Sequence, residues 1–303
     1  SALSPAPIRV YALGETRVLR GDEEIPSTEW GSVKARQLFL YLLSHPGQRK
    51  EAIAEMFWRD MSASKVRSAF HVTTSRVRRA LQIKEAIVFK DDKYKFNDQV
   101  DLWYDVDEFL HLLDEAEQIV AQAPAEAAER RREAVMLVRG EFCQDLADME
   151  WISEQRRYLN ERYLDALSRL GEYQLERGQI ELALGQFRRV LELDPLREAA
   201  HRQIMRCLIA LGDRGAALRQ YDQLMRLLDE ELGVDPDPET TKLYEEISES
   251  RPAPHPRPPA IHRTPQQTFR SHAGRADSRA GNLRPRLYHL RTKTIIVQRV
   301  SLH

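Results

Sequence analysis

A repeat of 34 residues constrains the fold of this chain more than any other feature of its sequence. Gly178 returns as Gly212 and Phe187 returns as Tyr221 at the same interval. Because apolar residues three or four positions apart share one face of a helix, each repeat predicts two amphipathic helices with a glycine between them. Further pairs at this interval are Ala166 and Ala200, Leu170 and Ile204, Leu175 and Ile209, Ala183 and Ala217, Leu184 and Leu218, Gln186 and Gln220, Leu191 and Met225.

This interval and pattern are those of tetratricopeptide repeats. We predict such repeats from Glu161 to Ile247, with Pro195 between two units and a more diverged unit between Ala125 and Trp151. Each helix pair buries its apolar face only against its neighbours, so the pairs stack into a curved surface that suits protein segments. A scaffold that binds no ligand is also compatible with the pattern.

The segment from Ser62 to Leu81 predicts a helix with two unlike faces. Val66, Phe70, Val77 and Leu81 form an apolar stripe, and the segment carries five basic residues and no acidic one. A solvated basic face would explain the helix taken alone. Hydroxyls and long cations also suit the major groove of DNA, where Arg reads guanine. The outward or flanking residues are Ser64, Lys65, Arg67, Ser68, His71, Val72, Ser75, Arg76, Arg78 and Arg79.

The elements before this helix favour a helix-turn-helix. Three short stretches, the first beginning at Ile8 and the last ending at Ile25, predict a small antiparallel sheet. Ser32 caps a predicted helix over 33–44, and a second helix covers about 50–58. Three helices in this order place the third as the recognition helix.

A predicted hairpin after the basic helix forms a wing. Residues 86–90 and 94–96 pair across 91–93, and such a hairpin beside the recognition helix can reach the sugar-phosphate backbone or the neighbouring minor groove. Asp91 and Asp92 count against deep insertion into a groove. The lysines of this wing are Lys90, Lys93 and Lys95.

Charge divides the chain into three parts. Residues 1–98 hold 17 basic and 12 acidic residues, residues 99–248 hold 18 and 33, and residues 249–303 hold 11 and 2. A basic head beside an acidic body is expected if only the head meets a polyanion. We therefore predict a mainly α protein with a small β component. It has a winged-helix DNA-binding domain at 1–98, a tetratricopeptide-like domain at 99–248, and a largely disordered Pro/Arg-rich tail at 249–303.

Two local signals in the acidic part predict helices. Asp105 and Glu108 have the spacing of a capping box, so a helix should begin there and run to about Ala121. Pro124 should open another helix that reaches Arg139. Capping explains the paired carboxylates more simply than a metal or acid–base site does.

The distribution of reactive residues argues against an enzyme. No GxxxxGK[ST] loop, nucleophile–base pair or metal cluster stands out, so we predict no catalytic residue, no cofactor and no metal. His201 and Cys207 lie six residues apart, a poor metal spacing, and we interpret them as packing residues. With two cysteines, no apolar leader and no apolar run near the ~20 residues that span a bilayer, we predict a cytoplasmic protein without membrane contact.

Several phrases of the sequence resemble known families. RQLFLYLL, EAIAEMFWRDMSASKVRSAFHVTTSRVRRAL and YKFN resemble the OmpR/PhoB-type winged helix. LVRGEF, LADMEWISEQRRYLNERYLDAL and the stretch from LELDPLREAA to PDPETTKLY resemble the bacterial transcriptional activator domain. Joined in this order over about Ile8 to Ile247, the two resemble the antibiotic regulatory protein family of bacterial activators. That resemblance implies a dimer on direct repeats of double-stranded DNA near a promoter, in contact with RNA polymerase.

Two hypotheses follow from these patterns. The first is a sequence-specific activator that contacts DNA through Ser64, Lys65, Arg67, Ser68, His71, Ser75, Arg76, Arg78 and Arg79, and through the wing lysines Lys90, Lys93 and Lys95. The alternative is a repeat-based adaptor whose winged helix binds protein, although such a variant would more often expose an apolar patch.

The first hypothesis predicts the effect of one double variant. Arg78→Ala combined with Arg79→Ala should abolish a DNA footprint and leave thermal unfolding nearly unchanged, because both side chains are assigned to DNA rather than to the core. Footprinting and a melting curve on the same preparation measure the two effects. Promoter binding that is unaltered in the double variant would remove the hypothesis.

Overall fold

The computed structural model describes residues 6–249, which lie within one compact unit. The predicted fold class is confirmed, since helices dominate and strands are few and short. The predicted tail lies outside the described residues, apart from its first residue. The elements are β1 (Ile8–Tyr11), β2 (Arg17–Arg20), β3 (Glu23–Glu24), α1 (Val33–Ser44), α2 (Lys50–Trp58), α3 (Ala63–Leu81), β4 (Ile87–Lys90), β5 (Lys93–Phe96), β6 (Leu102–Tyr104), α4 (Asp105–Ile119), α5 (Pro124–Leu137), α6 (Glu150–Glu176), α7 (Ile180–Leu193), α8 (Glu198–Ala210), α9 (Arg214–Leu232) and α10 (Pro238–Glu249).

A four-stranded sheet with the order β3-β2-β1-β6 begins the chain. In β1, Val10 lies opposite Val18 of the antiparallel β2 and opposite Tyr104 of the parallel β6. The sequence predicted the first three strands and assigned no strand between the wing and Asp105. It missed β6 because three residues are too few to show an alternating pattern, and the partner of β6 lies far away in the chain.

The three helices of the head have the predicted limits, with α3 beginning after Ser62. The predicted cap of α1 is confirmed, because the Oγ of Ser32 accepts a hydrogen bond from the N–H of Ala35 at 3.2 Å. Phe39 of α1 packs against Trp30 and Phe96 with ring centroids 5.5 and 5.4 Å apart. The helices and the wing therefore share one aromatic core.

The wing turns more tightly than the sequence indicated. Lys93 belongs to β5 and pairs with Lys90, so the turn consists of Asp91 and Asp92 alone and not of residues 91–93. These two residues have φ of 51° and 60°. Two successive left-handed residues form the type I′ turn that matches the twist of a hairpin.

The helical body has the repeats that the 34-residue interval predicts. α6 packs against α7 and α8 against α9. Gly178 and Gly212 connect each pair with φ of 74° and 79°, a conformation that favours glycine. The aromatic residues of the repeat, Phe187 and Tyr221, are both buried.

The first helix pair of the body lies upstream of its predicted position. The pair that forms is α4 with α5. The predicted unit at 125–151 instead contains most of α5 followed by a connection at 138–149. This connection follows the edge of the head, where the N–H groups of Arg139 and Cys143 donate to the carbonyls of Leu13 and Ala12 at 2.9 and 2.8 Å. The helical pattern lapses there because the segment pairs with the sheet instead.

Asp105 does not cap α4, so the predicted capping box is wrong. The residue before it, Tyr104, holds the cap position without a side-chain hydrogen bond. The carboxylate of Asp105 accepts instead from the N–H groups of Ala12 at 2.8 and 2.9 Å and Leu13 at 3.1 Å, and from Arg139 at 2.8 Å. Burial raises the pKa of Asp105, and these donors limit the rise.

Apolar packing is continuous between the head and the first body helices. Trp151 of α6 packs edge-on against Tyr41 of α1 with centroids 5.5 Å apart and lies 6.1 Å from Phe142 of the connection. The backbone N–H of Thr16 donates to Asp145 at 2.7 Å, and Arg36 pairs with the same carboxylate. The predicted domain boundary at residues 98 and 99 stays a prediction, and the core extends across it.

His201 and Cys207 are both buried within α8. The Nε2–H of His201 donates to the carbonyl of Pro195 at 2.9 Å, and its Nδ1 accepts from Gln220 at 2.8 Å. Burial lowers the pKa of His201, which favours this neutral form. These contacts agree with the interpretation of both residues as packing residues.

Gly171 tests the repeat packing. A Cβ at this position of α6 would lie 2.8 Å from the Cζ of Phe187, so Gly171→Ala should destabilise the protein by about 1–3 kcal/mol through overpacking. An added Cβ at Gly185 of α7 would meet no atom of the described residues within 4 Å. Gly185→Ala should therefore stabilise the protein by about 0.5–1 kcal/mol through helix propensity. Urea unfolding followed by circular dichroism measures both changes. Equal effects of the two substitutions would contradict this packing.

Candidate nucleic-acid interface

The two predicted faces of α3 are present in the structure. Phe70, Val77 and Leu81 are buried on one side, while Val66 and Ala69 are half-buried at its start. Thr73 and Thr74 are buried as well, and their hydroxyls donate to the carbonyls of Ala69 and Phe70 at 2.7 and 3.0 Å. Because both hydroxyls are hydrogen-bonded, the two threonines fill part of the core without burying an unpaired polar group.

Most of the predicted contact residues on α3 are exposed. They lie on the side of the helix that faces away from the core, where nothing in residues 6–249 covers them. Arg76 and Arg78 are half-buried. The exposed members are Ser64, Lys65, Arg67, Ser68, His71, Ser75 and Arg79.

The exposed cations of this surface have no carboxylate partner within the described residues. Lys65, Arg67 and Arg79 form no ion pair there, whereas many arginines of the helical body do. Cations that are unpaired within a fold attract counterions, which a phosphate backbone releases on binding. The last turn also holds Arg78 and Arg79, an arrangement that the helix dipole favours.

Arg78 and Arg76 contact other parts of the head as well as lying at the edge of the exposed face of α3. The Nη2 of Arg78 donates to the carbonyl of Ile87 at 2.8 Å, which links α3 to the wing. The side chain of Arg76 lies against Gly31, where an added Cβ would be 3.4 Å from its Nε. Of the two arginines in the predicted double variant, Arg79 is therefore the freer, because it is exposed and has no such contact among the described residues.

The three wing lysines differ in their surroundings. Lys90 and Lys93 are exposed, and neither forms an ion pair within the described residues. Lys95 is half-buried and pairs with the carboxylate of Asp98. Two lysines of the wing are thus exposed and unpaired within the described residues, whereas the third pairs within the fold.

Two exposed apolar residues on this surface were not among the predicted contacts. Val72 on α3 is 49% exposed and Phe89 on the wing is 58% exposed. Phe89 packs on Tyr94 with centroids 4.7 Å apart, and Tyr94 packs on Phe70 of α3 at the same distance. In the sequence, the available signal was an aromatic residue next to Lys90 and the Asp91-Asp92 turn of the predicted hairpin, where an apolar side chain is unexpected.

Elsewhere in residues 6–249 we find little that would support a metal site, a reactive thiol or a ligand pocket. No group of three or more metal-ligating side chains occurs in this range, and none of its helices is long and apolar enough to cross a membrane. Burial raises the pKa of Cys143 to about 12, so its thiol is unreactive. A pocket of about 260 Å³ lies between the connection, α6 and α7, but its two arginines already bind Asp148 and Glu192.

The fold and this surface define a class of protein. A sheet, three helices and a wing carry an exposed cationic helix, and a tetratricopeptide-like body follows them without a break in the core. Such a combination is a winged-helix head on a helical-repeat body.

Comparisons with known proteins show which family and which proteins the chain resembles. Residues 104–248 match the family "Bacterial transcriptional activator domain", so the chain carries that domain. It is 29% identical over 273 residues to the "Regulatory protein AfsR" of Streptomyces griseus, covering 86% of this chain and 27% of AfsR. It is 24% identical over 230 residues to the "Transcriptional regulatory protein MoaR1" of Mycobacterium tuberculosis, covering 73% of this chain and 74% of MoaR1. The predicted resemblance to the antibiotic regulatory protein family is thereby confirmed.

The chain spans about a quarter of the length of AfsR from two Streptomyces species. Among solved structures, Mycobacterium tuberculosis EmbR, in complex with a low affinity phosphopeptide, has the same fold with a TM-score of 0.69 and 19% identity. The match covers 80% of this chain and 65% of EmbR.

The contact of Arg78 with the wing changes what its removal should do. Arg78→Ala leaves the carbonyl of Ile87 without its donor and should lower the free energy of unfolding by about 1–2 kcal/mol. Arg79→Ala removes an exposed side chain and should change it by less than about 0.5 kcal/mol. Urea unfolding of the two single variants measures the difference. Equal stability of the two single variants would show that Arg78 does not hold the wing. A footprint lost in the double variant would then reflect lost DNA contacts alone.

Proposed function

We propose that this chain is a sequence-specific DNA-binding transcriptional activator. The observation that carries the proposal is the exposed, unpaired cationic face of α3, backed by a buried core that fixes its orientation. The named relatives AfsR and MoaR1 are regulatory proteins, and the bacterial transcriptional activator domain supports the same role. The function is one of binding and not of catalysis.

In this proposal α3 enters the major groove. Its 19 residues extend over about 28 Å, enough to follow the groove across several base pairs. Ser68, His71 and Ser75 lie along the middle of the exposed face and are placed to hydrogen-bond base edges. Arg67 and Arg79 flank them and would read guanine or bind an inner phosphate.

The remaining residues position the duplex. Lys65 at the start of α3 and Lys90 and Lys93 on the wing would hold phosphates on either side of the major-groove contact. Ser64, Arg76, Arg78 and Lys95 complete the proposed contact set at its edges. Phosphate contacts set the register of the protein, whereas base contacts select the sequence.

The relatives also support a regulatory assembly. We propose that the chain binds direct repeats near a promoter as a homodimer and contacts RNA polymerase, in the cytoplasm. The repeat body is suited to such a protein contact because stacked helix pairs expose long surfaces. The adaptor alternative has less support, because the exposed residues of α3 and the wing are mainly polar or charged and Val72 and Phe89 are the large apolar exceptions among them.

A salt titration tests the proposal. A 40-base-pair duplex selected by the chain from a random pool should bind with a log Kd that rises by about 4–5 per decade of salt, since five unpaired cations face it. Lys65→Ala should lower that slope by about one, because one phosphate contact is lost. Fluorescence anisotropy at several NaCl concentrations measures both values.

Arg188→Ala provides the matched control. Arg188 is exposed on α7, away from α3, and its removal deletes the same kind of charge without touching the proposed interface. It should leave both Kd and the slope unchanged. Failure to select any duplex, or equal loss of slope in the two variants, would contradict the proposal.

A further inference from the structure

We propose that Phe89 on the wing contacts the deoxyribose edges of the DNA strand that runs between α3 and the wing. This inference rests on the proposed function and extends it to an apolar contact that does not depend on salt. Single exposed apolar residues are common on protein surfaces, so exposure alone would not carry the inference. Three further observations do: the support of the ring, the face it occupies and the charges around it.

The ring of Phe89 is held by a chain of contacts that ends in the recognition helix. Phe89 lies opposite Tyr94 across the hairpin, with ring centroids 4.7 Å apart. Tyr94 in turn packs edge-on against Phe70 of α3, also at 4.7 Å. Its backbone exchanges two hydrogen bonds with Gln48, of 2.7 and 2.9 Å. A ring fixed in this way loses little conformational freedom on binding.

The face of the wing on which Phe89 lies is turned toward α3. Side chains alternate across a strand, so Phe89 shares its face with the buried Ile87 and with Tyr94. If α3 occupies the major groove and the wing lies at the adjoining minor groove, the sugar-phosphate strand between the two grooves passes between α3 and the wing. The wing face turned toward α3 is the one that meets this strand.

The charges of the wing exclude a deeper insertion of its tip. Asp91 and Asp92 form the exposed turn, and phosphates would repel both carboxylates. Lys90 and Lys93 lie on either side of that turn and attract the backbone. The closest approach therefore falls beside the tip, at the level of Phe89, and the C–H edges of the sugars are the part of the backbone that an apolar ring can cover.

An apolar contact has a measurable signature that a lysine does not. Covering the exposed part of a phenyl ring should strengthen binding roughly tenfold. The effect should be the same at every salt concentration, because no counterion is released. A phosphate contact instead weakens as salt rises.

The experiment compares Phe89→Ala with Lys90→Ala on the 40-base-pair duplex selected by the wild-type chain. Phe89→Ala should raise Kd roughly tenfold at each NaCl concentration without changing the slope. Lys90→Ala should lower the slope by about one. Val88→Ala, on the opposite face of the same strand, should leave Kd nearly unchanged.

Hydroxyl-radical footprinting locates the contact, because the radical attacks the sugars themselves. Phe89→Ala should lose protection at the sugars beneath the wing and keep the protection given by α3. Phe89→Leu, which restores an apolar side chain, should recover most of the affinity, and melting curves should show that each variant is folded.

Distinct results separate the failure of this contact from the failure of the proposed function. A wild-type chain that selects no duplex overturns both. Normal wild-type binding with an unchanged Kd and footprint in Phe89→Ala overturns the contact alone. A change in slope without a loss of affinity at high salt would also overturn it, because loss of an uncharged contact with sugars should not alter the number of counterions released.

Discussion

The buried carboxylate of Asp105 is the interaction on which the rest of this structure depends. It is 1% exposed, and it binds the end of β1 through two backbone N–H groups and the connection after α5 through Arg139. A buried charge is tolerated only when it is paired and hydrogen-bonded, so each of these segments stabilises the position of the others. The sheet of the head and the first helix of the body are joined at this point.

The orientation of α3 follows from that frame. Arg20 of β2 donates to the carbonyl of Ala80 at 2.8 Å, and Arg78 donates to Ile87 at 2.8 Å, so the end of α3 is attached to the sheet on one side and to the wing on the other. Phe70 and Val77 anchor the rest of the helix in the core. Its outward face is consequently a rigid surface, as a groove-reading helix requires.

Pairing of charges distinguishes the outward face of α3 from several arginines of the body. In the body, arginines such as Arg162, Arg197 and Arg202 each contact two carboxylates, so their charge is used within the fold. On α3 the exposed cations have no such partner in the described part of the chain. The head therefore keeps positive charge available for a polyanion while the body, although rich in arginine, remains acidic outside.

The sequence by itself determined the helices, the cap at Ser32, the 34-residue repeat and the two faces of α3, because these depend on residues close together in the chain. Only the tertiary structure decided what Asp105 binds, where β6 pairs, and which cations remain free. Arg78, Arg79, Lys93 and Lys95 look alike in the sequence, yet Ile87 and Asp98 engage two of them and leave the other two exposed. Those differences arise from contacts between distant segments, which no local pattern records.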